Sequence, residues 1–311
     1  MSFSIVFPGQ GSQSIGMMGE LAEQHSLVKE VFVEASDALA VDLWAMTQQG
    51  PIESLQQTEN TQPALLTAGV AAWRVWQELG GPKPSIMAGH SLGEYTALVC
   101  AGALTFAEGV ALVRDRGRYM QEAVPEGEGG MAAVLGLEDD VVREVCAAAA
   151  QGDVLQAVNF NAPGQVVIAG SAAAIVRGAE QLKAAGAKRA LPLPVSIPAH
   201  SSLMSPASER LAERIATVDL TMPEIPVLHN CNVQVAENSE QIAANLVTQL
   251  DSPVRWVESI EAIHQQGIDN FIESGPGRVL GGMIKRIVKG VAIGCIEKPE
   301  AYADLIETVT S

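Results

Sequence analysis

Basic residues are scarce: 19 Lys and Arg stand against 36 Asp and Glu, a formal net charge of −17 over 311 residues. A field of that sign repels polyanions, which excludes nucleic acid and an anionic membrane surface as main partners. Aromatic residues make up only 4% of the chain although apolar residues reach 48%, so the interior must be packed with small side chains and 29 glycines. Cys100, Cys146, Cys231 and Cys295 lie far apart, with no C-x-x-C pair and no Cys/His ligand spacing. That excludes a sequence-encoded zinc site or disulfide framework and leaves four small hydrophobes in a reducing compartment. No basic residue precedes Lys29, so the charged start of a signal peptide is missing. The longest uncharged run near a helix, 96–107, is too short to cross a bilayer. The expectation is a soluble, cytoplasmic protein without a metal.

What is present is an alternation of short apolar runs with helical periodicity. "FSIVFPGQGSQ" (3–13) is a buried strand halted by Pro8 and Gly9. Helical periodicity follows over 16–47 and 61–79, then a strand at "SIMAG" (85–89) and a helix after Leu92. Strands alternating with helices predict a parallel sheet flanked by helices. The texture changes between 126 and 195. A strand at "GGMAAVLGL", a helix over 138–150, strands at "VLQAVNFN" and "QVVIAG", a helix over 171–185 and a strand at "AKRALPLPV" give βαββαβ, the order of a ferredoxin-like unit. The expected fold is α/β: a hydrolase-like core over 1–125 and 199–311, with a ferredoxin-like small domain inserted at 126–198. "PEGEGG" and "PLPVSIP" supply the linkers.

Chemistry enters at "AGHSLGEYTALVCAG" (88–102), which carries G-x-S-x-G. That pattern is a nucleophile elbow, a sharp strand-to-helix turn that lifts the Ser91 hydroxyl above the sheet edge. Its flanking glycines are demanded because a Cβ would strike neighbouring backbone. Alone the pattern is weak; its place between a predicted strand and a predicted helix gives it weight. The turn also sets the Leu92 N–H at a helix N-terminus, facing a developing oxyanion. A serine hydroxyl needs a base, and there are five histidines. His25 lies in a polar stretch and is expected on the surface. His90 adjoins Ser91 on the turn and points away from it. His229, in "PVLHNCN", ends a predicted strand as a hydrogen-bonded core residue. His264 closes a helix, where the dipole favours it without catalysis. His200, in "PVSIPAHSSLM", sits on a loop after a strand, where α/β active sites gather, and is the favoured base. In "EGVALVRDRGRYMQ" Arg116 falls beside the apolar stripe of Val110, Val113, Gly117 and Met120. A guanidinium there needs a partner: a buried Asp or Glu, or a substrate carboxylate gripped by two N–H groups.

These residues lie in seven segments: "FPGQGSQ" (7–13), "GHSLGE" (89–94), "RG" (116–117), "NFNAPGQVVIAG" (159–170), "PAHSSLM" (198–204), "TQL…PVRW" (248–256) and "ESGPGRVL" (273–280). In that order, and over nearly its whole length, the chain resembles the malonyl-CoA:acyl carrier protein transacylases of dissociated fatty acid synthesis. It is similar also to the acyltransferase domains of polyketide and fatty acid synthases. The resemblance implies that Ser91 carries the acyl group as an ester, with His200 as base and then acid. It further implies an oxyanion hole from the N–H groups of Gln10 and Leu92, and Gln249 holding His200 through an amide or backbone oxygen. Arg116 would bind the malonate carboxylate, and Asn159 or Asn161 would line the cleft. The implied reaction is a ping-pong transfer from malonyl-CoA to the phosphopantetheine thiol of acyl carrier protein, with no cofactor. Ala199 and Ser252 depart from the family pattern, where Ser and Asn are common, and leave the fine substrate shape open.

Acyl carrier proteins are acidic, as this chain is, so docking needs a local basic patch. Lys183, Lys188 and Arg189 form one cluster and Arg278, Lys285, Arg286 and Lys289 another; the alternative is that both are ordinary solvated faces. Monomer is the default state. Three other functions compete. An esterase of α/β-hydrolase type would use a late histidine, nominating His264, whose surroundings lack loop character. A patatin-like lipase needs an Asp-Gly step, and no Asp here precedes Gly. A non-catalytic scaffold would tolerate loss of Ser91, His200 or Arg116, and all three are present.

Overall fold

The computed structural model describes every residue except Ser196. Among the described residues the strands are β1 (Phe3–Phe7), β2 (Ile86–Gly89), β3 (Gly129–Leu135), β4 (Leu155–Ala162), β5 (Gln165–Ser171), β6 (Arg189–Pro192), β7 (Val227–Leu228), β8 (Asn270–Glu273) and β9 (Ala292–Cys295). Five of them form one sheet in the order β7-β2-β1-β8-β9, and every pairing in it is parallel. Period-two alternation sorts its side chains into two cores. Phe3, Ile5 and Phe7 enter one with Met87, while Val6 enters the other with Ile86, Ala88 and Phe271. Both faces being covered, the strands are largely apolar, with Ser4 of β1 and Glu273 of β8 buried among them. The same parallelism puts the chain after β1, β2, β7 and β8 at one edge, where an α/β site is built.

The other four strands pair antiparallel in the order β4-β5-β3-β6. Ala132, Val134, Val166 and Ile168 face the helices Asp139–Ala150 and Ala172–Ala184. Met131, Val158, Val167 and Ala169 face away from them, toward Leu193, Val195 and Ala199. The βαββαβ order is thus present and closes with the ferredoxin-like strand neighbours. The edge strand β4 binds the rest of the chain along its length. Gln156 Oε1 accepts the Ser202 N–H at 2.7 Å, Val254 exchanges backbone bonds with Val158 and Phe160, and Pro163 O accepts from Arg286 at 2.7 Å.

Three expectations change in detail. The periodicity over 16–47 is three helices, Gly19–Gln24, Leu27–Leu39 and Leu43–Gln49, broken where His25 turns extended and again where Ala40 turns left-handed at φ 52°. The strand expected over 187–195 is confined to β6, because Pro192 and Pro194 cannot donate to a ladder. Strands β8 and β9 were not anticipated; four residues each, with Asn, Glu and Gly among them, give no alternation to read. No helix among the described residues is long and apolar enough to cross a membrane.

Candidate active site

Strand β2 ends at Gly89, and the helix Leu92–Cys100 starts three residues later. Ser91 between them is held at φ 52°, ψ −108°, a conformation that costs a non-glycine residue about 1–3 kcal/mol. Both glycines of the motif are required by close approach. A Cβ on Gly89 would lie 1.9 Å from the Gly93 carbonyl carbon, and one on Gly93 would lie 2.0 Å from the Phe7 carbonyl oxygen. Asn230, just after β7, over-determines the turn: its Oδ1 accepts the Ser91 N–H and its Nδ2 donates to Gly89 O, both at 2.7 Å.

His200 Nε2 stands 2.8 Å from Ser91 Oγ, and His200 Nδ1 lies 2.8 Å from the Gln249 backbone oxygen. A carbonyl can only accept, so Nδ1 carries the proton and the Nε2 lone pair faces the serine. Like Ser91, His200 has a positive φ, 65°. Burial first, and the Arg116 charge second, push its pKa from 6.5 down to about 3. The ring is therefore neutral across the physiological range, as a general base would need. Acylation of Ser91 should accordingly stay flat with pH until well below 6.5, and a pH–rate profile breaking near 6.5 would contradict this assignment. The stability linkage has a matching sign. The folded-state pKa lies below the unfolded value, so this contribution is complete above pH 6.5 and is lost as pH falls from 6.5 toward 3.

Arg116, on the helix Phe106–Ala123, is 1% exposed. Of the two partners weighed for it, a carboxylate of the protein is absent: among the described residues none pairs with it, and its hydrogen-bond partners are neutral. Nη1 donates to Gln62 Oε1 at 2.7 Å, Nη2 donates to Gln249 Oε1 at 3.1 Å and to Ser91 Oγ at 3.3 Å, and Nε has no partner. The Tyr95 ring lies 5.1 Å from the guanidinium carbon. Such a cation, buried and underused, suits an incoming carboxylate.

Gln249 is fixed at both ends. Its Oε1 accepts from Arg116, while its Nε2 donates to Glu94 Oε2 at 2.8 Å and to Ser91 O at 3.0 Å. Glu94, fully buried, also accepts from the Asn230 N–H at 2.8 Å and lies 2.7 Å from His229 Nδ1. Sequence reasoning missed Gln62, Glu94 and Asn230 as site residues. Glu94 had a signal, since an acid three residues after the nucleophile on an apolar helix needs a partner. Gln62 had none, lying 54 residues from the arginine it holds.

The remaining candidates separate. Gln10, Leu92 and Asn159 line the same cavity as Ser91, Arg116 and His200, with Met131, Val167 and Leu193 opposite. Among the described residues neither the Gln10 nor the Leu92 N–H donates to another group of the protein, whereas the Ser91 N–H is taken by Asn230. Asn159 Oδ1 is buried and unpartnered. Asn161 does not line the cavity: its Oδ1 lies 2.7 Å from His90 Nε2, so it steadies the residue beside the nucleophile instead. His90 also packs edge-on to Trp256, and burial lowers its pKa. His25 is half-buried 6.3 Å from the Tyr302 ring rather than fully solvated, and His264 pairs with Asp269. All seven candidate docking cations are exposed. One residue of each cluster reaches the same pair of turns: Lys188 packs on Gly136, the Gly136 N–H donates to Gly164 O, and Arg286 donates to the neighbouring Pro163 O.

Residues 4–295 match the acyl transferase domain family. The malonyl CoA-acyl carrier protein transacylase of Salmonella typhimurium is 54% identical over 97% of each chain, and that of Bacillus subtilis is 43% identical over 98% of this chain and 96% of that one. The solved malonyl CoA-acyl carrier protein transacylase of Coxiella burnetii superposes with a TM-score of 0.99 at 51% identity, covering 100% of this chain and 98% of that one. A malonyl-transacylase solved in complex with its type II PKS acyl-carrier protein gives a TM-score of 0.98 at 50% identity, covering 99% and 100%. The chain belongs to the acyl transferase domain family and, within it, to the malonyl CoA-acyl carrier protein transacylases.

Proposed function

We propose that this enzyme moves a malonyl group from malonyl-CoA to the phosphopantetheine thiol of acyl carrier protein through an ester on Ser91, supplying extender units for fatty acid synthesis in the cytoplasm. One observation carries the assignment: Ser91 Oγ lies 2.8 Å from His200 Nε2 and 3.3 Å from Arg116 Nη2, so nucleophile, base and carboxylate-binding cation share one cavity. His200 takes the Ser91 proton as Oγ attacks the thioester carbon, and the Leu92 and Gln10 N–H groups stabilise the oxyanion. Collapse expels the CoA sulfur, which receives the proton from His200. The carrier thiol then repeats the sequence in reverse. A histidine backed by a neutral carbonyl is a weaker base than one backed by Asp, but a thioester is already activated. Residues 126–198 act as one module whose Met131, Val167, Leu193 and Val195 line the cleft opposite the nucleophile.

Intact-protein mass measurement after mixing with malonyl-CoA tests the reading, with one malonyl adduct expected and none fatal to it. The approach of Lys188 and Arg286 to the same pair of turns supports a single docking band for the acidic carrier. Reversing the charges of Arg278 and Lys285 should raise the KM for carrier protein about tenfold and spare acylation by malonyl-CoA. Arg286 is left intact in that variant because it holds the Pro163 turn. Equal losses in both half-reactions would reject the band.

A further inference from the structure

We propose that the substrate's own carboxylate releases Ser91 for attack: Arg116 restrains the nucleophile, and a malonyl carboxylate drawn onto the guanidinium lifts the restraint. The inference deepens the transfer proposed above and rests on Ser91 being the acylated residue. A hydroxyl has one proton and two lone pairs. At Ser91 the proton faces His200 Nε2 at 2.8 Å, and a lone pair accepts the Arg116 Nη2–H at 3.3 Å. That second bond, coming from a cation in a buried site, draws charge from the oxygen that must attack. It also opposes the next event, since an imidazolium formed at His200 would face the guanidinium across a single oxygen atom. The Arg116 charge is the second cause, after burial, of the low basicity of His200.

Among the described residues no carboxylate cancels the Arg116 charge at contact. The facing groups are Gln62, Gln249, Ser91 and the Tyr95 ring, and Glu94 is one amide further away, behind Gln249. A malonyl carboxylate supplies that anion. Its oxygens compete for Nη2–H, so Oγ keeps its lone pair and the imidazolium no longer meets an uncompensated cation. The step balances without further reactants. The Oγ proton passes to Nε2 as the Oγ–C bond forms, the C–S bond breaks, and the departing sulfur takes the proton back. An acetyl thioester has no such group and meets the restrained serine, so discrimination lies in the chemical step as well as in binding.

The test divides the malonyl group in two. Acetylation of Ser91 by acetyl-CoA is followed by intact mass, with sodium formate or with sodium chloride at matched ionic strength. Formate provides the carboxylate that acetyl lacks. The expected result is a rate rise of about fivefold or more, the lower end of ordinary coupling between two bound ligands, and no rise in Arg116→Ala. An unchanged or reduced rate in the unaltered enzyme, or the same rise in Arg116→Ala, overturns the inference. The parent reading fails separately: a malonyl adduct persisting in Ser91→Ala defeats both, whereas its loss there with no formate effect defeats only the restraint.

Discussion

Ser91→Ala is expected to fold as the parent does, to take up no malonyl mass from malonyl-CoA, and to lose transfer to carrier protein by at least about 10⁴-fold, the scale on which a nucleophile's removal acts. The fold should survive because alanine removes only Oγ. The backbone at 91 keeps its N–H bond to Asn230 and its carbonyl bond from Gln249, and the flanking glycines still provide the room for the turn. What disappears is the one atom shared by His200 and Arg116. The same variant should still bind malonyl-CoA, since the proposed carboxylate contact is made by Arg116 and not by the hydroxyl. A Ser91→Ala enzyme that kept a tenth of its transfer rate would place the nucleophile elsewhere, and its adduct, mapped by peptide mass, would say where.

How much of this site could be read in the sequence depends on whether each residue announces itself locally. Ser91 did, because an elbow demands glycine on both sides, and the demand shows in the structure as Cβ positions 1.9 and 2.0 Å from backbone atoms. Arg116 did in part: a cation on an apolar stripe needs a partner, but only the structure shows that this partner is a pair of glutamines and a hydroxyl. His200 was favoured by position alone; its role as a neutral base follows from burial and from a carbonyl 49 residues away. Asn230 went unread because its work is to hold backbone, and Glu94, though a buried acid beside the nucleophile, because its partners Gln249, His229 and Asn230 are distant in sequence. The bonds they make join β2, β7 and the Gln249 helix, elements whose neighbourhood exists only once the sheet order is set. The sheets follow the same logic. β1 and β2 are apolar runs with clear stops, whereas β8 is recruited by its neighbours and has no pattern of its own. Asn161 shows the converse error, a polar residue in a recognisable segment assigned to the cleft when its amide faces His90.

Arg116→Ala should invert substrate preference. For malonyl thioesters the variant would lose the proposed charge-assisted contact to a guanidinium that is 1% exposed. Truncating one partner of such a pair costs about 2–5 kcal/mol, so kcat/KM should fall by about 30-fold or more. Acetyl thioesters lose no contact, because they never supplied the carboxylate. They gain the space of a guanidinium and a serine no longer bonded to a cation, so their kcat/KM should hold or rise. The quantity that decides is the ratio of the two kcat/KM values, which cancels any common loss from the Gln62 and Gln249 oxygens left without their donor. Arg116→Lys sharpens the test. An ammonium keeps the charge, but as a compact point on a flexible stem it cannot reproduce a planar fork holding Gln62, Gln249 and a carboxylate together. If charge alone selected malonyl, the lysine variant would keep the parent ratio; if the fork selects, it falls between parent and alanine. A ratio unchanged in both variants would mean that the carboxylate is bound by some other group, and Arg116 would be reduced to a structural cation.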